Sequence, residues 1–375
     1  MRAEPVTSRR VLREFLDLPL RLHPRDRYVP AFSTAVAGWW RSGATQLHVV
    51  RDAAGTVVGR LCLHRSAKFD AKVGPHQLFG LTEFIDDDAV AGALFDFAAS
   101  HAGGLPLFGP VALLPNETGG VITSGFDERG FVDSAWNPAY YPDTYARHGF
   151  RRHFEADTWI CDLSPDRGTS GGYADAGDAD SFVFDDTRIA AERLTIRYGS
   201  RRRFAQQLPI LRTMLNDSFR QLGYYTEIGP EELAAQTDGL AFLLDETLLL
   251  WLEKAGRPIA FVVTVPDISE YLMRVGGDLG PVNQLRLLAT RRRYRRDAVL
   301  IIKGTVPDEQ GRGYLTLLSR ELHRNLRSGG YRTLRSTFVE RDNAASAAQY
   351  RRTGGRPLHG YTFYRRIAGE TGESG

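Results

Sequence analysis

Apolar and polar positions fall into two stretches that repeat one another. DAAGTVVGRLCL, around Gly55, is a glycine turn leading into alternating apolar residues, the pattern of a hairpin entering a strand. EKAGRPIAFVVTV, around Gly256, repeats that pattern 201 residues later. Further on, Asn137 is followed by Tyr145, Gly149 and Phe150, and Asn343 by Tyr350, Gly354 and Gly355; the tyrosines and the first glycines are each 205 residues apart. Each copy then ends in an aromatic strand, HFEADTWICDL or YTFYRRI. Between these landmarks the helix-like AVAGALFDFAASHAGG pairs with YLTLLSRELHRNLRSGG. Their glycine pairs are 226 residues apart, so the register needs two insertions, the loop 115–136 in one copy and the basic segment 280–297 in the other. Four landmarks in the same order predict a duplication. Each copy reads strand–helix–strand–strand–strand–helix–strand–helix–strand, and a strand–helix–strand run predicts a parallel pair joined by a right-handed crossover.

The segment SPDRGTSGGYADAGDADS, Ser164 to Ser181, holds one large apolar residue, Tyr173, and reads as a linker. The expected domains are therefore 1–163 and 182–375, joined by 164–181. With 375 residues, 42% hydrophobic and 25% charged, each half has enough apolar residues for a core of its own. No run of about 18 apolar residues predicts a membrane span. The charged start MRAEPVTSRRVLREF lacks the apolar run of a signal peptide, so a cytoplasmic protein is expected, with Cys62 and Cys161 as buried thiols. Only Lys68, Lys72, Lys254 and Lys303 are lysines among 48 basic residues, a bias that fits a GC-rich genome before it fits a function. The net charge of +3 changes the picture once divided. Residues 1–163 carry 17 basic and 19 acidic side chains, 164–181 carry 1 and 4, and 182–375 carry 30 and 22. The half that attracts anions is the C-terminal one.

That half also carries the sharpest local pattern. Val299 to Val306 is a β-branched run, Pro307 and Asp308 break it, and Leu315, Leu318, Leu322 and Leu326 then recur at helical spacing. Between lies Gln310-Gly311-Arg312-Gly313-Tyr314. A glycine turn that opens a helix directs several backbone N–H groups outward, and with the positive helix end they suit a diphosphate. The pattern is neither a Walker loop nor a dinucleotide fingerprint. In the N-terminal copy the matching place is Phe84-Ile85-Asp86-Asp87-Asp88. Three carboxylates there satisfy a helix N-terminus themselves and repel a diphosphate, so that copy is expected to have a structural or acceptor-shaping role.

V-x-P-x-x-Q/R-G-x-G-x-G/A after a strand and opening a helix resembles the CoA-diphosphate loop of GNAT acyltransferases. Val306, Pro307, Gln310, Gly311 and Gly313 match, with Leu315 in place of the final small residue. Asn343, Ser346, Tyr350 and Gly354 resemble the family's N-x-x-A-x-x-x-Y-x-x-x-G-F helix, with Gly355 in place of Phe. With the duplication, nearly the whole chain is similar to bacterial tandem-GNAT proteins. Their N-terminal halves carry a similar "LP-x-RL-x-P-x-D-x-x-VP" start, here Leu18 to Pro30, and an "NP-x-YYP" segment, here Asn137 to Pro142. The resemblance implies an α/β (α+β) fold of two GNAT-like domains in tandem, each a mixed, splayed sheet flanked by helices. It implies an acyl-CoA or acyl-phosphopantetheine donor held by Gly304, Thr305, Val306, Gln310, Gly311, Arg312, Gly313, Tyr314 and Asn343. It places Tyr350 where a phenol can protonate the departing thiolate. Glu340, or more weakly Asp267, can receive the amine's proton, and positioning alone can also supply much of the rate.

The run Arg291-Arg292-Arg293-Tyr294-Arg295-Arg296 precedes the central strand, whereas the glycine loop follows it, about 23 Å away at ~3.3 Å per residue. Arg292, Arg293, Arg295 and Arg296 therefore read as a dock for an acidic acyl-carrier protein rather than as ligands of the same diphosphate. The small net charge and the lack of interleaved aromatics argue against nucleic acid. No metal-ligand spacing and no Gly-x-Ser-x-Gly elbow occur. The sequence thus points to an N-acyltransferase acting on an amine of a small molecule or peptide, in a secondary-metabolism setting. An aminoacyl-tRNA-dependent transferase and a non-catalytic GNAT-fold binding protein are the other readings.

Overall fold

The computed structural model describes residues 1–113, 118–163, 184–223, 225–237 and 244–367; the expected linker 164–181 and part of the loop 115–136 lie outside the described residues. The chain divides into two compact units. The first comprises Met1–Asp157, Ser269–Leu285 and the C-terminal stretch from Leu358; the second comprises Thr158–Ile268 and Arg286–Pro357.

The first unit opens with β1 (Ala3–Pro5), α1 (Arg9–Leu22) and α2 (Ser33–Ser42). The predicted hairpin follows as β2 (Gln46–Arg51) and β3 (Val57–His64), then α3 (Ala67–Val73), β4 (Gln77–Phe84), α4 (Asp88–Ala102) and β5 (Leu107–Gly109). These strands lie side by side in chain order, antiparallel up to β4. β4 and β5 are the expected parallel pair, and it spans only Gln77↔Leu107 and Leu78↔Phe108. A two-stranded ribbon of β6 (Val111–Ala112) and β7 (Thr118–Gly119) comes next, then β8 (Val121–Ile122), α5 (Tyr140–Arg147) and β9 (Arg151–Asp162). The core beneath α4 holds Phe84, Leu94, Phe95, Tyr145 and Phe150.

The second unit repeats the order. It runs α6 (Asp186–Ala191), β10 (Leu194–Tyr198), α7 (Phe204–Phe219), α8 (Pro230–Thr237), β11 (Leu249–Lys254) and β12 (Arg257–Pro266). The chain then leaves this unit for α9 (Ser269–Val275) and the first half of α10 (Pro281–Thr290), which belong to the first, and continues with β13 (Asp297–Thr305), α11 (Tyr314–Ser328), β14 (Thr333–Glu340), α12 (Ala344–Arg352) and β15 (Arg356–Arg366). β10 to β13 are antiparallel neighbours, and β13–β14 is the parallel pair. Leu318, Leu322 and Leu326 put α11's apolar stripe on this sheet, each fully buried. Burial of such a side chain contributes about 1.5–3 kcal/mol. The duplicated landmarks match in backbone conformation as well as spacing. Gly55 and Gly256 have φ of 80° and 83°, and Gly149 and Gly354 have 78° and 73°.

The unit boundaries differ from a division at 164–181. The sequence assigns each closing strand to its own copy, but β15 lies in the first unit, paired antiparallel with β5 through Tyr364↔Gly109 and with β8 through Tyr361↔Ile122. Its Tyr364 stacks on Tyr145, centroids 4.5 Å apart. The last part of β9 lies in the second unit, where Trp159 stacks on Tyr350 at 5.6 Å. The substitution of glycine for phenylalanine at Gly355 follows from this. A Cβ there would stand 2.7 Å from the Cys161 sulfur and 2.7 Å from the Tyr350 carbonyl oxygen. Cys161 of β9 and the Tyr350 backbone thus occupy the space that a side chain at position 355 would need.

Among the described residues, no helix is long and apolar enough to cross a membrane, and no group of three or more His, Cys, Asp or Glu side chains is placed to hold a metal.

Candidate active site

The opening of the second unit's sheet is set by where one ladder ends. β13 and β14 pair from Asp297↔Thr333 to Leu300↔Ser336. Beyond that point β13 continues on β12 as far as Thr305, while β14 runs on to Glu340. The Thr337 hydroxyl donates to the Ile301 carbonyl at 2.6 Å, just past the last paired residues. Val306 N–H donates to Ile259 O at 2.9 Å. By the alternation of an antiparallel ladder, the Gly304 N–H also faces β12, whereas those of Lys303 and Thr305 face the opening. Of the three backbone amides expected to orient a donor, Gly304 and Val306 are thus committed to the sheet and Thr305 is directed outward.

The glycine loop takes the form the sequence implies. Pro307–Glu309 is one turn of 3-10 helix, Gly311 and Gly313 have φ of 75° and 81°, and α11 begins at Tyr314. Such φ values favour glycine. Among the described residues, none of the N–H groups from Gly311 to Leu315 has a hydrogen-bond partner, and Gly313 provides no side-chain cap to α11. Five donors at the positive end of a 15-residue helix make an anion cradle. The loop is held from behind. Gln310 Nε2 donates to Thr305 O at 3.1 Å. Lys254 Nζ donates to both Glu309 carboxylate oxygens at 3.0 Å, and Arg312 Nε lies 3.3 Å from the same carboxylate. Arg257 forms a two-pronged pair with Asp308. The loop's two carboxylates are thereby neutralised by cations and do not oppose an anion. The Tyr314 side chain serves the fold: its buried hydroxyl accepts from Lys254 and donates to Glu192. The group it leaves free is the backbone N–H.

Behind the opening lies a cluster that the sequence reading missed in part. Tyr350, on α12, is buried against Trp159, and Lys303 Nζ lies 4.3 Å from the centre of its ring. The Lys303 ammonium donates to Gln349 Oε1 at 2.7 Å. Burial pulls this lysine's pKa down to about 8. Cys161 stands nearby, its Sγ 3.4 Å from Thr353 Oγ1, and burial pushes its thiol up. Lys303 was visible in the sequence as one of four lysines in an arginine-rich chain, but nothing there tied it to Tyr350.

The other expected residues lie elsewhere. Glu340 ends β14, its carbonyl accepting the Asn343 N–H at 3.0 Å. Asn343 caps α12, its Oδ1 accepting from Ser346 N at 3.0 Å, so its amide is engaged in holding the helix. Asp267 is buried 3.4 Å from Arg335, at the end of β12 that pairs with the start of β13. That is the closed end of the parallel pair, about 30 Å along the strand from the glycine loop. The basic run is a 3-10 turn, Arg291–Tyr294, ahead of β13. Arg292, Arg293 and Arg296 are exposed, while Arg295 is half-buried and 3.7 Å from Asp245.

In the first unit, Asp87 caps α4, accepting from Ala89 N at 2.8 Å and Val90 N at 3.4 Å. Asp88 is paired with Arg147 and His148. The helix end that matches the glycine loop thus carries carboxylates of its own.

No family model matches the sequence. Among curated proteins, the chain is 26% identical over 243 residues to protein YghO of Escherichia coli, covering 63% of this chain and 58% of that protein. It is 24% identical over 316 residues to a bacterial ceramide synthase of Caulobacter vibrioides, covering 76% of this chain and 74% of the relative. Among solved structures, it superposes on a tandem GNAT protein from the clavulanic acid biosynthesis pathway with a TM-score of 0.55 at 14% identity, covering 99% of both chains. A GNAT-type glucosamine N-acetyltransferase region within a fungal multi-domain β-N-acetylglucosaminidase matches with a TM-score of 0.57 at 15% identity, over 97% of this chain and 38% of that one. The parallel pair that parts behind a glycine-opened helix, present beside its duplicated counterpart, agrees with these superpositions over the full length: the chain is a tandem GNAT protein by fold.

Proposed function

We propose that the chain is an N-acyltransferase that moves an acyl group from a pantetheine thioester, acyl-CoA or acyl-carrier protein, to an amine. The observation that carries this reading is the row of five backbone N–H groups at the start of α11, beside a strand pair that parts to admit an extended arm. Those donors suit the donor's phosphates, and the outward N–H of Thr305 suits an amide of pantetheine. The neutral amine attacks the thioester carbonyl, the C–N bond forms, the C–S bond breaks, the Tyr350 phenol gives its proton to the departing thiolate, and the nitrogen's surplus proton then restores the phenol, directly or through water. Lys303 beside the ring stabilises the phenolate that results. The curated relative named as a ceramide synthase favours a lipid-like amine as acceptor over a peptide, since a ceramide is an N-acylated long-chain amino alcohol. The retained loop together with Tyr350 favours catalysis over a binding role alone.

The experiment is isothermal calorimetry of the full chain with CoA and palmitoyl-CoA. One site per chain is expected. No binding, or two sites per chain, overturns the assignment of the donor to the second unit's loop.

A further inference from the structure

The amine of Lys303 has a chemistry that the proposed transfer does not use, and its surroundings all belong to the second unit. β12 and β13 shift register between Val263↔Ile302 and Thr264↔Leu300, which leaves Ile301 as the extra residue of a bulge. A bulge bends its strand and re-aims the side chains that follow. Just past it, a Cβ on Gly304 would stand 2.9 Å from Ser218 of α7 and 2.9 Å from Phe261, so Lys303 is turned to the opposite face of β13. There its Nζ lies 4.3 Å from the centre of the Tyr350 ring and donates to Gln349 Oε1 at 2.7 Å. Leu300 is the last residue of β13 to pair with β14, so Lys303 sits where the two strands have parted.

Two features make this amine a nucleophile. The first is its lack of a counter-charge. Among the described residues no carboxylate forms an ion pair with Lys303, whose charge meets only an amide oxygen and an aromatic ring. Lys254, by contrast, is held by both oxygens of Glu309 at 3.0 Å, and Lys68 and Lys72 are exposed on α3. A half-buried ammonium without a carboxylate gives up its proton readily, and the amide oxygen accepts from a neutral amine as well as from an ammonium. Burial accordingly holds the Lys303 pKa at about 8. The second feature is position. On the N-acyltransferase reading, the thioester sulfur lies against the Tyr350 hydroxyl that protonates it. The carbonyl carbon is one bond from that sulfur, and Nζ stands over the same ring. The charged and titratable groups facing Lys303 are Cys161 from β9, His323 from α11 and Tyr350 from α12. Burial pushes the Cys161 thiol up, and burial with the charges of Arg327 and Lys303 pulls His323 down to about 4.

We propose that Lys303 is a self-acylation site, which takes the acyl group from the bound donor when no acceptor amine is present. The Lys303 ammonium first releases a proton to water. The neutral Nζ then attacks the thioester carbonyl, the C–N bond forms and the C–S bond breaks. The thiolate leaves as the thiol with a proton from Tyr350, and the surplus proton on Nζ restores the phenol. The product is an uncharged amide, which no longer supports the Tyr350 phenolate, so the modified chain transfers more slowly. The proposal rests on the N-acyltransferase reading for the place of the donor.

The test incubates the full chain with acetyl-CoA or palmitoyl-CoA in the absence of amine and follows intact mass and peptide mapping. One acyl group per chain is expected, on Lys303 and stable to neutral hydroxylamine, as an amide is. Its rate is expected to rise with pH and level above about pH 8, and to exceed by about tenfold or more the labelling of the same lysine in the urea-unfolded chain, where its value is the ordinary ~10.4 and no donor is held. Lys303→Arg, which keeps the charge without a nucleophilic amine, is expected to take no label. A label that hydroxylamine removes lies on Cys161 and overturns the proposal, as does a label spread over Lys68, Lys72 and Lys254. An unlabelled chain that still acylates dodecylamine rejects the site and keeps the acyltransferase reading. Labelling of Lys303 with no transfer to dodecylamine keeps the site and rejects that reading for alkylamines. CoA binding with neither label nor transfer rejects both.

Discussion

Lys303 shows what one side chain can contribute by being in an unfavourable place. Its pKa of about 8 stands below the ordinary ~10.4 because burial penalises the ammonium. Between those values the unfolded chain binds more protons than the folded one, so stability rises as pH climbs from about 8 to about 10 and is flat below. Lys303→Met is therefore expected to raise the melting temperature at neutral pH and to abolish that alkaline rise, measured by thermal unfolding at a series of pH values. The same substitution is expected to lower kcat about tenfold, since a desolvated cation on an aromatic face contributes roughly 0.5–2 kcal/mol. A gain in stability with a loss in turnover separates the proposed role from packing. Tyr350→Phe keeps the ring between its neighbours and removes the hydroxyl. It is expected to reduce kcat by about a hundredfold, with a much smaller change in CoA affinity. Loss of CoA binding with turnover intact would make Tyr350 a packing residue.

The glycine loop was legible in the sequence because its chemistry is local. A β-branched run, a proline break, two glycines and a leucine stripe each fix a few consecutive dihedrals, and β13, the loop and α11 follow from them. Gly313→Asp is expected to abolish CoA binding by calorimetry, because it adds strain at φ 81° and a carboxylate beside the five N–H groups. The triple change Asp86→Asn, Asp87→Asn and Asp88→Asn is expected to leave that affinity unaltered, with α4 kept because asparagine caps as well as aspartate does. Equal effects from both variants would mean that the first unit also holds a donor. What the sequence did not make legible depends on distant segments. Asn343 read as a donor ligand because its spacing to Tyr350 fits a motif, yet that spacing equally serves a helix cap. Gly355 read as a departure from the family pattern. It is instead the place where Cys161 enters, so Gly355→Ala is expected to lower stability by about 1–3 kcal/mol in denaturant unfolding, the ordinary cost of overpacking.

Duplication was visible along the chain, but the destination of the closing strands was not, because HFEADTWICDL and YTFYRRI are apolar enough to complete either sheet. Trp159 therefore joined Tyr350 without any sequence signal that paired them. What the sequence did display at this level is the division of charge, and it motivates the last prediction. The half from 182 to 375 carries 30 basic and 22 acidic residues. Arg292, Arg293 and Arg296 are exposed at the start of β13, whereas the glycine loop follows its far end. Nine residues of strand separate them, about 30 Å at ~3.3 Å each, too far for the arginines to hold the same phosphates as the loop on the proposed reading. On the proposed reading, a donor that engages both places is a macromolecule with an acidic surface and a long arm, of the kind an acyl-carrier protein is. Rim charges act mainly on association and are screened by salt. Neutralising Arg292, Arg293, Arg295 and Arg296 together is expected to slow transfer from an acyl-carrier protein, most at low ionic strength, and to leave transfer from a free pantetheine thioester unchanged. Arg295→Gln alone serves as the control for stability, because that side chain faces Asp245. Equal losses with both donors would show that the arginines support the fold or the acceptor, and loss with the free thioester alone would place them at the strand opening instead.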